Sequence, residues 1–255
     1  MGLFSNIFGS KKKEEVLPPA DYGLVKADMH SHLIPGIDDG AQTLEESIEL
    51  IKGLKELGFT TLITTPHIMS DFYRNKPETI LPGLDLVRNE IEKQGLGITI
   101  HAAAEYYLDA DFEKKLKDLK LMSFGKENYL LFELSYLNKP ESLTRVIFEL
   151  IRQGYKPILA HPERYPYFYD KFEIYKEIVD RGALLQLNTN SLTGYYSPGA
   201  KAIAEKLITE GLIEFIGTDT HKTGHINALK MARQSPYLFR LIESGKLKNL
   251  SLAES

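Results

Sequence analysis

Short apolar runs alternate with amphipathic stretches along this chain. Strand-like runs fall near residues 25–30, 60–65, 98–104, 129–134, 157–160, 184–188 and 213–217. They are apolar throughout rather than alternating, the pattern of parallel strands buried on both faces. Between them lie stretches of helical period, among them SIELIKGLKELG, DFEKKLKDL, ESLTRVIFELIRQG, FEIYKEIVDRG and GAKAIAEKLITEG. Thr43 with Glu46 forms a capping box before the first of these. Gly58, Gly154, Gly182 and Gly211 supply the left-handed residue that ends a helix, and a strand begins soon after each. The alternation predicts an α/β fold: a TIM-like (β/α) barrel of seven strands, one short of the eight-stranded form, with a doubly wound open sheet as its rival. Either architecture puts function at the carboxyl ends of the strands. The stretch from Ile226 to Leu252 reads as helical and is expected to cross the outer surface or to close the barrel's open side. Pro18-Pro19 separates a flexible tail, residues 1–24, from a single domain over 25–255.

Composition narrows the chemistry. The 255 residues suffice for a substantial core, and the net charge of −4 offers no basic footprint for nucleic acid. The absence of cysteine removes disulfides, cysteine-based zinc sites and any thiolate nucleophile. No run approaches the roughly 18 apolar residues of a membrane span. The opening MGLFSNIFGSKKKEE has no leader-like apolar region, so the expected compartment is the cytoplasm. Leu3, Phe4, Ile7 and Phe8 beside Lys11 to Lys13 also offer residues 1–15 as a weak, peripheral contact with the inner membrane face.

The strand ends carry the signal. His30 and His32 close the first strand, two residues apart and so on one side of it. His67 follows LITTP, Glu105 follows ITIHAAA, Glu133 follows YLLF, His161 follows PILA, and Asp219-Thr220-His221 follows IEFIG, while Asp38-Asp39 sits on the loop after the first strand. A lone histidine or carboxylate of this kind is more often a loop, cap or ion-pair residue. A series of them at one end of one sheet is different, because that many carboxylates brought together without cations would repel and be costly to desolvate. His101 lies inside the third strand and is left out of the set; His225 stays open. Imidazole and carboxylate without thiolate suits manganese, iron, zinc or magnesium. The number of ligands exceeds one ion's needs, which implies two or three divalent ions. Glu105, from a middle strand, is the expected bridge.

Closely spaced ions are suited to phosphoester hydrolysis, because they acidify a bound water to hydroxide and neutralise phosphoryl oxygens. Arg164, three residues beyond His161, supplies a fork for the remaining phosphate charge, against the alternative of a surface ion pair with Glu163. Arg164, Glu105 and His161 are therefore the catalytic candidates. Tyr106, Tyr107, Tyr136, Tyr165, Tyr167, Phe168, Tyr169, Tyr195 and Tyr196 crowd the same loops; most are expected to be packing, and a few to form a rim for a flat substrate.

In order, DMHSHLIPGIDDGAQTLEES, ITTPH, AAEYYLD, LFELS, LAHPERY and GTDTH resemble the blocks of the PHP superfamily. Within it they resemble the bacterial tyrosine-protein phosphatases of capsule and exopolysaccharide synthesis. The resemblance implies a distorted (β/α)7 barrel, the PHP fold, with a trinuclear, usually manganese-dependent site that hydrolyses phosphotyrosine. It implies one ion on His30, His32, Glu105 and Asp219, a second on Glu105, Glu133 and His161, and a third on His67, His221 and either Asp38 or Asp39. It makes Arg164 the phosphate contact and a tyrosine autokinase the partner. Two departures stand out: the segment before Lys26 is longer than usual, and Lys222-Thr223-Gly224-His225-Ile226 replaces a stretch that often carries arginine. Alternatives are a PHP phosphatase for a small ester such as histidinol phosphate, or a non-catalytic regulatory module. Metal identity and oligomeric state are not legible at this level.

Overall fold

A computed structural model of the chain describes residues 17–116 and 120–254. The proposed membrane contact of residues 1–15 lies outside the described residues. Among the described residues are nine parallel strands: β1 (Ala27–Asp28), β2 (Thr61–Thr64), β3 (His67–Ile68), β4 (Thr99–Ala102), β5 (Glu105–Tyr107), β6 (Tyr129–Glu133), β7 (Lys156–Ala160), β8 (Leu184–Asn188) and β9 (Phe215–Gly217). They form two sheets, of order β1-β2-β4 and β3-β5-β6-β7-β8-β9. Thr64 pairs with Ala102 and His67 with Glu105, so the register carries over from β2–β4 to β3–β5. β2 with β3, and β4 with β5, are thus each one strand position, interrupted at Thr65-Pro66 and at Ala103-Ala104. Counted this way the nine segments occupy the seven expected positions, and the interruptions are the barrel's distortion.

The helices are α1 (Leu44–Glu56), α2 (Pro77–Lys93), α3 (Ala110–Lys115), α4 (Leu143–Arg152), α5 (Glu173–Asp180), α6 (Pro198–Thr209), α7 (Thr223–Ala232), α8 (Pro236–Glu243) and α9 (Asn249–Ala253). Thr43 caps α1 by accepting from the Glu46 amide. α2 is less legible in sequence than the others, because Pro82 lies in its interior and removes a helix donor. A small cluster that includes Ala27, Met29, Ile63, Leu131, Ile158, Ala160 and Phe215 fills the barrel. A far larger one packs the outer strand faces against the helices.

The barrel closes without a ladder between β1 and β9. At the upper end Ser31 and Thr220 form an isolated parallel bridge, and the Asp219 amide donates to the His30 carbonyl at 2.7 Å. Below it the Asp28 carboxylate accepts from both the amide and the hydroxyl of Thr218 at 2.9 Å. At the lower end the Asn249 amide of α9 spans the gap, donating to the carbonyls of Ala27 at 3.0 Å and Ile216 at 2.8 Å and accepting from the Ile216 amide at 3.0 Å. Within the C-terminal stretch α9 thus closes the open side, while α7 packs on α1 and α8 on α6 across the outer surface, so both expected arrangements are present. The packed body also begins earlier than the expected boundary at residue 25. Ala20 and Tyr22 are fully buried, Tyr22 lies 5.1 Å from the ring of Phe59, and the Ala20 amide donates to the Arg233 carbonyl at 2.7 Å. Pro18-Pro19 masks this apolar pair in sequence.

Candidate metal centre

Local backbone geometry turns the strand-end side chains toward one point. His161 and Asp219 adopt left-handed φ of 34° and 49°, which a residue with a Cβ pays for with roughly 1–3 kcal/mol. Gly40 lets the Asp38-Asp39 loop fold onto the first strand, since a Cβ there would stand 2.2 Å from the His32 carbonyl oxygen. Gly217 leaves room for His30, whose Cβ would lie 2.7 Å from one added at that glycine.

Glu105 occupies the centre. Its Oε2 lies 3.1 Å from His30 Nε2, 3.2 Å from His67 Nδ1 and 3.4 Å from His32 Nε2, and its Oε1 lies 3.1 Å from His161 Nε2. Asp219 Oδ1 reaches His30 Nε2 at 3.4 Å and His221 Nδ1 at 3.3 Å. Glu133 approaches His67 Nδ1 at 3.1 Å and His161 Nε2 at 3.9 Å. Asp39 Oδ1 is 3.4 Å from Nε2 of both His67 and His221. Four overlapping clusters result, each with its donor atoms within 4.8 Å of one another: His32, Asp39, His67 and His221; His30, His161 and Asp219; His30, His32 and Glu105; His67, Glu105 and Glu133. Overlap through shared residues makes this a site for more than one ion.

Of the two aspartates, Asp39 is the one in a cluster. Asp38, expected among the ligands, instead accepts from His32 Nδ1 at 2.8 Å and from the His67 and Gly40 amides at 3.1 and 2.9 Å. It orients the His32 ring and the His67 backbone, a role suited to a carboxylate behind a metal-binding imidazole. Gln186, absent from the sequence reading, plays the same part for His30, with its Oε1 2.8 Å from Nδ1. Nothing in a strand-interior glutamine signals such a role beforehand. His101 lies away from the centre, exposed on β4. His225 is buried at the cavity wall, and burial holds it down at about 4, hence neutral.

The charge balance of the cluster calls for cations. Burial would push Glu105 up, yet His30 and His67 hold it well below the carboxylate range. Burial would likewise push His32 down, yet the Asp38 carboxylate draws it up to about 10. With Asp38, Asp39, Glu105 and Asp219 ionised, the cluster draws protons onto His30, His32 and His67; divalent ions would supply that positive charge instead. His67 Nδ1 is the best local evidence of fit. It is buried with carboxylate oxygens at 3.1 and 3.2 Å, yet it makes no hydrogen bond. A lone pair aimed between its neighbours, not at them, fits a metal ligand.

Above the cluster lies a cavity of about 540 Å³. Of the nine aromatic residues expected near it, Tyr107, Tyr136, Tyr195 and Tyr196 line it, joined by Met69 and Tyr73. Tyr106 and Tyr165 are buried packing residues whose hydroxyls accept from the Met122 and Leu134 amides. Tyr167 donates to the Ser135 carbonyl, Phe168 is buried, and Tyr169 packs on Gly199. Arg164 lines the cavity and pairs with Asp219 Oδ2 at 2.6 Å, rather than with its neighbour Glu163. Glu163 points into the fold, where it accepts from the Ser191 hydroxyl and the Asn188 amide and burial pushes it up to about 7.

The molecule resembles known proteins in sequence and in shape. It is 28% identical over 194 residues to the tyrosine-protein phosphatase YwqE of Bacillus subtilis, covering 76% of each chain. It is 29% identical over 194 residues, with the same coverage, to the putative tyrosine-protein phosphatase CapC of Staphylococcus aureus. A solved structure from the pair YwqE of Bacillus subtilis and CpsB of Streptococcus pneumoniae, metal-dependent tyrosine phosphatases, superposes with a TM-score of 0.75 and 26% identity, covering 88% of this chain and 94% of the other. A histidinol phosphate phosphatase from Lactococcus lactis shares the fold at a TM-score of 0.53 and 14% identity, covering 87% of this chain and 94% of the other. The model of the capsular polysaccharide synthesis family CpsB/CapC matches residues 26–253, and the chain belongs to that family.

Proposed function

We propose that this protein is a metal-dependent phosphoric monoester hydrolase that removes phosphate from tyrosine, acting on a tyrosine autokinase of capsular or exopolysaccharide synthesis. One observation carries the reading: four overlapping imidazole–carboxylate clusters, two of them sharing Glu105, lie beneath an aromatic-walled cavity that also presents Arg164. The names of the sequence relatives favour a protein-tyrosine substrate over histidinol phosphate, for which the likeness extends to the fold.

Three ions, manganese first among the candidates, suit the donor set. His30, His32, Glu105 and Asp219 would hold one, Glu105, Glu133 and His161 a second, and His67, His221 and Asp39 the third. Bound there, the ions supply an acidified water and positive charge opposite the phosphoryl oxygens. The rest falls to side chains of the chain. Arg164 has five N–H donors and uses one on Asp219, so its free edge can take phosphate oxygens. Tyr73, Tyr107 and Tyr195 offer ring faces to the aryl group. A phenol leaves with a pKa of about 10, which lessens the need for a strong general acid.

The test is elemental analysis of the purified protein joined to turnover of a phosphotyrosyl peptide and of histidinol phosphate, each with and without added manganese. Bound metal and manganese-dependent release from the peptide are expected. Hydrolysis of histidinol phosphate alone would overturn the substrate, and no hydrolysis of either ester would favour a regulatory module.

A further inference from the structure

Arg164 is held in place by more than its ion pair. Its guanidinium carbon lies 4.1 Å from the ring centroid of Tyr196 and 5.0 Å from that of Tyr136. Asp219 Oδ2 takes one donor at 2.6 Å. The surrounding groups are themselves tied together. Asn188 Nδ2 donates to the Tyr196 hydroxyl at 2.8 Å and to Asp219 Oδ2 at 2.9 Å, so one amide fixes both a ring and the carboxylate. Tyr136 stacks on His161, with centroids 5.9 Å apart and planes 24° apart, and lies 5.6 Å from Tyr165. The residues come from separate places in the chain: Tyr136 after β6, Arg164 after β7, and Asn188 and Tyr196 at and after the end of β8. A free arginine side chain samples many rotamers, and binding a phosphate must order it. Two ring faces and a carboxylate edge leave this guanidinium little freedom, with unused donors along the cavity wall.

We infer that Tyr136 and Tyr196 form an aromatic clamp that positions Arg164 for the phosphate, through their ring faces and not their hydroxyls. Both are positioning residues, since they act through Arg164. The inference rests on the proposed role of Arg164 as the phosphate contact. It makes the affinity for the phosphoryl group depend on two residues that need not touch it.

The experiment uses the full-length, metal-loaded protein with inorganic phosphate as a competitive inhibitor of phosphotyrosyl-peptide hydrolysis. Tyr136→Leu and Tyr196→Leu should each raise the phosphate inhibition constant about tenfold, with metal content unchanged. Tyr136→Phe and Tyr196→Phe should recover most of that loss, because the ring faces remain. In an Arg164→Ala background the leucine substitutions should add nothing, because the group they position is gone. Phenylalanine variants as impaired as the leucine ones would overturn the clamp, as would full additivity with Arg164→Ala. If Arg164→Ala itself leaves phosphate inhibition unchanged, the role of Arg164 falls and the clamp with it. If Arg164→Ala weakens inhibition while the leucine variants do not, the clamp alone is wrong.

Discussion

At the lower end of the β1–β9 seam the buried Asn249 amide spends both its oxygen and its nitrogen on backbone groups of β1 and β9. At the upper end, around Glu105, His67 Nδ1 is equally shut off from solvent and has no hydrogen bond at all. Both regions are polar and buried, one at the foot of the β1–β9 seam and the other gathered from the upper ends of several strands. They differ in satisfaction. A buried polar group with every partner in place is part of the scaffold, whereas a buried imidazole nitrogen set among carboxylates without a hydrogen bond has the disposition of a metal ligand. The left-handed backbone at His161 and Asp219 belongs to the second region as well. The lower end holds the barrel together, and the upper end draws on that stability.

Substitutions at the two ends should separate activity from stability. Glu105→Gln is expected to have the largest effect on turnover, on the order of a thousandfold, since removing the central carboxylate forfeits several kcal/mol of metal-derived charge stabilisation. Paired assays of peptide hydrolysis and metal content would show this; an unchanged metal content would break the comparison. Asn249→Ala should do the reverse, costing about 3 kcal/mol in urea unfolding because three buried backbone groups lose their partner. The molecules that remain folded should turn over normally.

Metal itself should act as a stabiliser. At a hundred times its dissociation constant an ion adds about 2.7 kcal/mol, so manganese should raise the thermal midpoint of the wild type and of Asn249→Ala alike, and that of Glu105→Gln much less. The aspartate pair sharpens the boundary between ligand and support. Asp39→Asn should lower the number of ions bound, read by elemental analysis. Asp38→Asn should keep that number and weaken affinity about 10–100-fold, by freeing the His32 ring. If both variants lose an ion, Asp38 is a ligand after all.

The smallest effect concerns a histidine outside the cluster. Partial burial and then the nearby Arg88 hold His101 below its ordinary 6.5. The folded state therefore binds that proton more weakly than the unfolded chain does, and stability should fall slightly as pH drops from about 7 toward 5. His101→Gln should remove that slope and change nothing above pH 7, as followed by thermal melts across pH. A shift in activity would mean that His101 is not the bystander its place on β4 suggests.

Much of this is legible in the sequence. Seven apolar segments with glycine-ended helices between them read directly as a barrel, because backbone hydrogen bonding and burial on both faces leave a local imprint. The gathering of these side chains at one end of the sheet was legible too, since a strand end is a local feature and His30-x-His32 and Asp219-x-His221 repeat it. What escaped was set by contacts distant in sequence. The division between Asp38 and Asp39 depends on how Gly40 lets the loop fold onto His32. Gln186 looks like any strand residue until His30 lies 2.8 Å away. Arg164 beside Glu163 left an ion pair open as the alternative to a phosphate contact, and only the turn after β7 decides it, sending Glu163 into the fold and Arg164 into the cavity.

By itself, then, the sequence determined the strand order along the chain, the kind of donors gathered at one end, and the absence of any thiolate route. Each of these follows from residue type and short-range period. The tertiary structure alone decided that the C-terminal Asn249 closes the barrel, that Asp39 and not Asp38 joins the clusters, and that two distant tyrosines hold Arg164. Those outcomes hang on which side chains meet across tens or hundreds of residues, and no local pattern encodes such a meeting.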